Sequence, residues 1–322
     1  MRTLLLLWLL VFPRADSLQV MFWNVENFFD WRNDSTTVSD VEFSAAGERH
    51  WTWKRFQAKA NAFAKALFWV EAETGQLPDV IGLEEVENAF VLRQVLQKTA
   101  LRKLDYKYVH YDSPDRRGID VALLYRSSRL ELLDSKPCHL FAADTVMATR
   151  DILLCVFRRA GPPVLPGTPF AVLVNHHPSK YGGTSESEPR RRIAVERLRF
   201  LADSLASVGI DRIIAGGDFN DTPDNPVFRL LEPALAPTHM DLFRQGYGTI
   251  KYDGKWDLID HIYVSPGLAA AGMGMRILRI PFLLTRDTVH SGEKPLRTYT
   301  GPRHTGGVSD HLPVLLEVPL PP

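Results

Sequence analysis

The chain has 322 residues, of which 45% are hydrophobic and 24% are charged, so it has an ordinary globular composition. This composition excludes a disordered or a collagen-like chain. Lys+Arg and Asp+Glu both number 38, so the formal net charge is zero. A polyanionic substrate must therefore be attracted by a local cleft, because the protein as a whole has no basic field.

The first residues are typical of an export signal. Arg2 supplies a positive charge, an apolar run covers 4–12, and Ala15 and Ser17 provide the small residues of a cleavage site. This run is too short to cross a bilayer, which takes roughly 20 residues. We expect a signal peptide over 1–17, a mature domain over 18–322, and a secreted or periplasmic protein without stable membrane insertion. A buried first strand or a membrane anchor is the alternative interpretation.

Apolar runs rich in β-branched residues predict strands, and apolar positions spaced by three and four predict helices. In chain order the predicted elements are a strand over 18–23, an irregular stretch over 30–48, a helix over 53–70, a strand over 79–83, a helix over 88–100, strands over 106–111, 119–125, 130–133, 152–157 and 170–174, a helix over 188–205, strands over 212–215 and 257–264, an irregular stretch over 281–307, and a strand over 312–318. Ser187 is the predicted N-cap of the third helix, with Pro189 in its first turn.

Many of these strands are continuous apolar runs, which indicates burial on both faces. With no internal repeat and no clear linker, the sequence predicts one α+β domain, a four-layer α/β/β/α sandwich of two packed mixed β-sheets flanked by helices. The two cysteines, Cys138 and Cys155, are too few for a disulfide scaffold or a metal-ligand pattern. They either pair in an oxidising compartment or remain buried thiols.

Polar residues recur at the ends of the apolar strands, where a scaffold commonly places a site. They are Asn24, Glu84-Glu85, Asn175-His176-His177, Asp218-Phe219-Asn220, Asp260-His261 and Ser309-Asp310-His311. Carboxylate and amide oxygens suit a hard cation such as Mg²⁺ or Mn²⁺, which neutralises an anionic phosphate ester. A base can hold the attacking water, and histidine can stabilise the leaving oxygen. The pattern favours a metal-dependent phosphoesterase.

Six motifs in this order resemble the endonuclease/exonuclease/phosphatase superfamily, which includes pancreatic-type DNases, abasic-site endonucleases, inositol polyphosphate 5-phosphatases and neutral sphingomyelinases. The motifs are Phe22-Trp23-Asn24-Val25-Glu26-Asn27, Ile81-Gly82-Leu83-Glu84-Glu85-Val86, Asn175-His176-His177-Pro178-Ser179, Gly217-Asp218-Phe219-Asn220-Asp221, Ile259-Asp260-His261-Ile262 and Ser309-Asp310-His311. The resemblance covers residues 20 to 318, essentially the whole mature chain.

The resemblance implies roles by position. It implies metal ligands at Asn24, Glu85 and Asp310, with Mg²⁺ or Mn²⁺ as cofactor and with Asp310 alternatively helping the base. It implies that Asp218 orients or deprotonates the water beside Asn220, that Asp260 orients His311 against the phosphoryl group, and that His176 is the general acid. Glu84 replaces the family's Gln, and either strengthens metal binding or is a solvated neighbour. We expect His177 to be a packing residue and His261 a structural neighbour of Asp260.

Basic stretches indicate where the substrate binds, because arginine forks bind phosphate oxygens bidentately. The candidate substrate-binding residues are Arg116, Arg117, Asp120, Arg150, Lys180 and Arg190, and the alternative for the basic ones is solvated surface. For Asp120, the resemblance to DNase-like members implies a pairing with His176. These stretches, with residues 47–52, resemble a branch common in secreted bacterial proteins whose substrate is unassigned.

The leading hypothesis is a phosphodiesterase, most simply a nuclease, because an acid such as His176 assists a poor leaving group. The alternatives are a phosphomonoesterase, or a sphingomyelinase-like lipid phosphodiesterase with Phe282-Leu283-Leu284 as its exposed hydrophobic loop. A non-catalytic binding module is a remote third. We expect a monomer that binds a phosphate ester, with nucleic acid as one candidate.

Overall fold

The computed structural model describes residues 17–33, 37–160, 167–179 and 184–319. The predicted signal peptide, apart from Ser17, lies outside these residues, as does Lys180. Among the described residues, none of the helices combines the length and the apolar character that a bilayer-spanning segment requires.

The part of the chain that the structure describes forms twenty strands and six α-helices. The strands are β1 Ser17–Phe28, β2 Val80–Val86, β3 Tyr106–His110, β4 Asp120–Arg126, β5 Leu130–Cys138, β6 Phe141–Ala142, β7 Thr145–Val146, β8 Ile152–Arg159, β9 Phe170–His176, β10 Ile213–Asp218, β11 Ala236–Pro237, β12 Ile250–Tyr252, β13 Lys255–Asp257, β14 Asp260–Val264, β15 Arg276–Ile277, β16 Leu284–Arg286, β17 Glu293–Pro295, β18 Tyr299–Thr300, β19 Arg303–His304 and β20 Val314–Pro319. The helices are α1 Val38–Glu42, α2 Trp53–Thr74, α3 Ala89–Lys98, α4 Thr184–Ser207, α5 Met240–Arg244 and α6 Pro266–Ala269, with short 3₁₀ turns at Ala100–Lys103, Pro226–Leu231 and Pro281–Leu283.

Two six-stranded sheets form the centre of the molecule, with strand orders β15-β20-β1-β2-β4-β3 and β11-β14-β10-β9-β8-β5. Both are mixed, because β1 runs parallel to β2 and antiparallel to β20, while β10 runs parallel to β9 and antiparallel to β14. Their inner faces share one apolar core. Helices α2 and α3 pack on the outer face of the first sheet, and α4 packs on that of the second. The predicted four-layer sandwich is confirmed.

Phe22 fixes how closely the two sheets approach. Its ring lies between Gly82 on β2 and Gly216 on β10, and a Cβ at either glycine would come within 2.4 Å of the ring. Only glycine fits at both positions, because real Cβ contacts are far longer and a packed core tolerates little added volume. The sheets therefore meet tightly next to the strand ends that carry the polar motifs.

The helix ends follow local capping chemistry where the sequence provides it. Thr52 accepts a hydrogen bond from the Arg55 backbone at the start of α2, and Gly75 ends that helix with a left-handed φ of 81°. For α4 the predicted start is wrong, because the helix begins at Thr184 and not at Ser187, so Pro189 lies inside it.

Two stretches predicted to be irregular contain short elements, namely α1 within 30–48 and the hairpins β16–β17 and β18–β19 within 281–307. The disulfide alternative is wrong, because Cys138 and Cys155 are both buried free thiols. On the paired strands β5 and β8, Cys138 faces Ile152 whereas Cys155 faces Ser135. Three residues along a strand correspond to about 10 Å, which is more than a disulfide spans.

Candidate active site

The predicted site residues gather at one edge of the sandwich. Asn24 ends the regular pairing of β1 with β2, and Asp218 at the end of β10 lies directly opposite both His176 of β9 and Asp260 of β14. The loop before β20 brings His311 to the same place, because the Trp23 indole donates a hydrogen bond of 3.0 Å to its carbonyl oxygen. The strand ends that carry these polar residues therefore converge.

His311 is held by a carboxylate. Its Nδ1 lies 2.9 and 3.1 Å from the two oxygens of Asp260, and the Thr249 hydroxyl donates to the same carboxylate. Burial alone would lower the pKa of His311, but Asp260 and Asp218 outweigh it and hold the pKa well above its usual range. His311 is therefore an oriented imidazolium whose Nε2 lies 3.9 Å from Asp218 Oδ2.

Asp218 lies at the centre of the cluster and is 2% exposed. The Asn24 side-chain amide donates to Oδ2 over 3.1 Å, and the Asn220 backbone donates to Oδ1 over 2.8 Å. Burial raises the pKa of Asp218 to about 7, against the opposing charge of His311. A carboxylate with a pKa near neutrality is suited to accept a proton from water.

His176 is placed beside Asp218, with 3.6 Å between its Nε2 and Oδ2. Burial lowers the pKa of His176 well below its usual range, and the charges of Arg150 and Arg117 lower it further. The ring is therefore neutral. It can donate a hydrogen bond to a leaving oxygen, and its role as general acid stays a prediction.

The predicted pairing of Asp120 with His176 is wrong. Asp120 Oδ2 lies 3.1 Å from His110 Nε2, and Oδ1 accepts a hydrogen bond of 2.9 Å from the Ser113 backbone. Strand β4 pairs with β3, and β3 ends at His110. The pairing places this histidine next to Asp120. Together with Asp112 these residues have potential ligand atoms within 4.8 Å of one another. Their hydrogen bonds instead anchor the loop that carries Arg116 and Arg117.

Three carboxylates lie together on the other side of Asn24. Arg297 Nη2 bridges Glu26 Oε1 at 3.1 Å and Asp310 Oδ2 at 3.0 Å, and Glu85 accepts a hydrogen bond of 2.7 Å from the Asn27 backbone. Burial, followed by the nearby charge of Asp310, raises the pKa of Glu26 to about 7. An all-oxygen donor set whose members repel one another fits a hard divalent cation.

Within this set, the sequence did not single out Glu26. Asn24 was predicted as a metal ligand, and its side chain contacts both Asp218 and Glu26. The Asn24 amide nitrogen holds Asp218, while its Oδ1 accepts a hydrogen bond of 2.9 Å from the Glu26 backbone. Asn24 therefore links the carboxylate group to Asp218. The signal for Glu26 was an acidic residue at the same strand end, two positions beyond Asn24.

Lys59 is a further residue that the sequence interpretation missed. Its ammonium is buried, donates to the Glu26 carbonyl and to Thr298 Oγ1, the latter over 2.9 Å, and burial lowers its pKa to about 8. A lysine between Phe56 and Phe63 on the apolar face of α2 was the available signal. Arg297 gave none, because it lies in a stretch without periodicity.

Backbone strain concentrates at the same place. Glu26, Asn27, Glu85 and Asn220 have φ values of 45°, 49°, 65° and 52°. Side chains other than glycine rarely adopt this left-handed region, and each instance costs about 1–3 kcal/mol. The fold holds these four polar side chains in the site against their local conformational preference.

Glu84 is not a solvated neighbour, and that interpretation is wrong. The residue is fully buried at 0% exposure, and neither carboxyl oxygen has a hydrogen-bond partner among the described residues. Burial raises the pKa of Glu84 well above its usual range, and the charges of Asp260 and Asp218 raise it further. Glu84 is therefore a neutral acid beneath the catalytic carboxylates.

His177 and His261 pack as expected. His177 lies 4.5 Å from the Phe219 ring, and His261 stacks between Phe219 at 5.0 Å and His239 at 4.3 Å. Burial lowers the pKa of His177 to about 3 and that of His239 to about 4. These rings support β10 and β14 from behind.

The predicted arginines line one cavity of about 950 Å³, to which Arg116, Arg117, Arg150 and Arg190 all contribute. Arg117 connects it to the carboxylate group, because its guanidinium lies 2.6 Å from Asn27 Oδ1 and 3.7 Å from Glu85 Oε1. Four of the candidate substrate-binding residues are thus brought together. Asp120 lies outside the cavity and anchors the loop that carries Arg116 and Arg117.

Known proteins resemble this chain in sequence. The model of the Endonuclease/Exonuclease/phosphatase family matches residues 19–319. The chain is 28% identical to the Drosophila melanogaster protein angel over 204 residues, which is 59% of this chain and 55% of that protein. The chain thus spans about half the length of this curated relative.

Solved structures share the fold across nearly the whole chain. An endonuclease/exonuclease/phosphatase family protein from Bacteroides thetaiotaomicron has a TM-score of 0.58 and 17% identity, with coverage of 95% of this chain and 98% of that one. The human Nocturnin catalytic domain with bound sulfate has a TM-score of 0.56 and 18% identity, with 95% of each chain covered. The mannosyl-6-phosphatase of B. thetaiotaomicron VPI-5482 has a TM-score of 0.58 and 16% identity, with coverage of 94% and 99%.

Proposed function

Because the chain belongs to the Endonuclease/Exonuclease/phosphatase family, whose members are hydrolases of phosphate esters, we propose that it is a divalent-metal-dependent phosphodiesterase. Water attacks phosphorus, and a P–O bond to the leaving group breaks. The observation that carries this proposal is the arrangement of the His311–Asp260 pair opposite Asp218, a cation and a base on either side of one small space.

Glu26, Glu85 and Asp310 would hold the cation, for which Mg²⁺ or Mn²⁺ is proposed. When bound, the cation neutralises the phosphate charge and polarises the P–O bond. Removal of Arg297 from Glu26 and Asp310 would free two carboxylates for this purpose, since it now bridges them. Asn24 positions Asp218 next to this group.

Asp218 accepts the proton of the attacking water, for which its raised pKa near 7 is suited. Asn220 fixes the carboxylate through its backbone and its side-chain amide, at 2.8 and 3.2 Å. His311, kept protonated by Asp260, donates to a phosphoryl oxygen and stabilises the charge that develops there. Neutral His176 donates a hydrogen bond to the leaving oxygen.

The segment 282–284, which was the sequence feature that favoured a lipid substrate, does not form an exposed hydrophobic loop. Leu283 is buried at 3% exposure, and Phe282 packs on the core while Lys65 Nζ lies 4.3 Å from its ring. The segment 282–284 is therefore part of the core and not an exposed hydrophobic loop. A diester is favoured over a monoester because an arginine-lined cavity extends the site beyond one phosphate.

The test is hydrolysis of bis-p-nitrophenyl phosphate, p-nitrophenyl phosphate and plasmid DNA with Mg²⁺, Mn²⁺ or EDTA, using Asp218→Asn as the control. We expect metal-dependent cleavage of the diester and a loss of several orders of magnitude in the variant. Turnover of the monoester alone would replace the proposal with a phosphatase. Equal activity in the presence of EDTA would contradict the proposed metal dependence.

We also propose that residues 1–17 direct export, which Arg2 and the apolar run over 4–12 support. N-terminal sequencing of the protein recovered outside the cytoplasm should begin near Leu18. An intact Met1 on that material would contradict cleavage.

A further inference from the structure

The arginine-lined cavity is far larger than one phosphate requires. Its volume of about 950 Å³ lies at the upper end of the roughly 300–1,000 Å³ typical of pockets for small molecules and cofactors. It is bounded by the loop that carries Arg116, by the segment 147–150 before β8, and by the start of α4. A nucleotide-sized group fits this space.

Positive charge dominates the cavity wall. Of the described residues that line it, four are arginines, at positions 116, 117, 150 and 190, and Asp115 is the single carboxylate. Asp115 is already engaged by Arg150 Nη1 at 3.1 Å and by the Arg117 backbone at 2.8 Å. The surplus charge favours an anionic ligand, and guanidinium groups suit phosphate in particular.

Arg150 is a built part of this wall. Its side chain is only 8% exposed, and its Nε–H has no acceptor among the described residues. The Thr149 hydroxyl beside it is likewise buried without a partner there. Buried donors without acceptors are uncommon in folded proteins because each is destabilising. A phosphate in the cavity would supply the missing acceptors.

One backbone oxygen joins the cavity to the catalytic group. The His177 carbonyl accepts a hydrogen bond of 2.7 Å from Arg150 Nη2 and another of 3.0 Å from the Asn220 side chain. Asn220 also holds Asp218. A group bound against Arg150 therefore lies next to the phosphate that is cleaved.

The cavity also has an apolar wall, formed in part by Met147, Pro178 and Ile193. A surface that combines arginines with apolar side chains suits a ligand with a phosphate and a less polar body. We propose that this cavity binds a second phosphate of the substrate together with the nucleotide-sized group that carries it. The proposal rests on the proposed function and specifies its substrate class as esters with at least two phosphates.

The first test is binding by calorimetry in EDTA, where no turnover occurs. The probes are thymidine 5′-monophosphate and thymidine 3′,5′-bisphosphate, which differ by one phosphate. We expect the bisphosphate to bind about 10- to 100-fold more tightly, the range for added charged hydrogen bonds. Equal affinities would overturn the proposal.

Two exposed arginines allow the cavity to be altered without disturbing the core. Arg116→Gln and Arg190→Gln should each weaken bisphosphate binding by about tenfold, the lower end of the same range, and so reduce the preference for the bisphosphate over the monophosphate. Arg192→Gln is the matched control, because Arg192 lies on the same helix but pairs with Glu196 at 2.9 Å. A preference that persists in both cavity variants, or is lost equally in the control, would contradict the assignment.

Hydrolysis separates this proposal from the proposed function. The substrates are the p-nitrophenyl esters of thymidine 5′-phosphate with and without a 3′-phosphate. A higher kcat/KM for the ester with the 3′-phosphate supports both, whereas equal values overturn only the second-phosphate proposal. If neither ester is hydrolysed with Mg²⁺ or Mn²⁺, the proposed function fails, and the calorimetry alone decides whether the cavity binds phosphate.

Discussion

Replacing Asp260 by Asn tests whether the carboxylate behind His311 contributes to the chemical step. Asp260 is 1% exposed and contacts His311 Nδ1 through both oxygens, at 2.9 and 3.1 Å. Asn is isosteric and still accepts a hydrogen bond, so the side chain keeps its volume. What it loses is the negative charge that holds the imidazolium in place.

The size of the effect follows from that contact. A hydrogen bond to a charged group is worth about 1.5–3 kcal/mol, and each 1.36 kcal/mol corresponds to about tenfold in rate. We therefore expect kcat to fall about 10- to 150-fold. KM should change little, because Asp260 lies behind His311 and positions it without lining the space where the ester binds.

The assay is steady-state hydrolysis of bis-p-nitrophenyl phosphate, with thermal unfolding measured on the same preparations. Asp151→Asn is the matched control, since Asp151 also pairs with a histidine, His139 at 2.8 Å, but lies outside the catalytic group. A kcat within threefold of wild type in Asp260→Asn would refute the reasoning. An equal loss in both variants would assign the effect to general destabilisation.

Glu85→Gln should raise the Mg²⁺ requirement at least about tenfold, seen both in activity and in the shift of melting temperature on adding metal; identical titration curves would contradict a ligand role. The pKa of His239 in the folded protein is about 4. As the pH falls below about 6.5, the unfolded chain binds more protons at this residue than the folded chain does. His239 therefore lowers the free energy of unfolding by about 2 kcal/mol between pH 7 and pH 5. Urea unfolding should show that His239→Asn lessens this acid sensitivity, and parallel pH dependences would disprove it. Gly216→Ala should destabilise the fold by about 1–3 kcal/mol through overlap with the Phe22 ring, whereas Gly267→Ala, with open space around it, should not.

The layered fold was predictable because its signals are local. The apolar runs around Phe22, Ile81 and Ile214 each indicate a buried strand from a few residues, and most predicted strands lie within two or three residues of the observed ones. The positions of Asn24 and Asp218 at strand ends follow from the same signal, since each comes where an apolar run stops.

What sequence reasoning missed depends on contacts between distant segments. Arg297 meets Glu26 across 271 positions of the chain, and nothing near Arg297 indicates that contact. Asp120 was paired with the wrong histidine because its partner depends on β4 lying beside β3, an order that strand periodicity does not specify. The choice between a disulfide and buried thiols stayed open in the sequence for a similar reason, because the register of β5 against β8 decides it.

The protonation of the site was also beyond the sequence. Whether His176 or His311 carries a proton depends on burial and on neighbouring charges. Their net effect lowers the pKa of His176 and raises the pKa of His311. The motifs locate both histidines but do not distinguish the neutral one from the imidazolium.

The left-handed backbone at Glu85 and Asn220 has a consequence for how this protein can evolve or be engineered. Glycine adopts that conformation without strain, so Glu85→Gly would relieve the strain while removing a candidate metal ligand. Selection for thermal stability alone would therefore favour the loss of catalytic residues before most core changes. Thermal stability and activity therefore conflict at the candidate active site. In any stabilised variant, substitutions at these positions should be the first to be tested for their effect on activity.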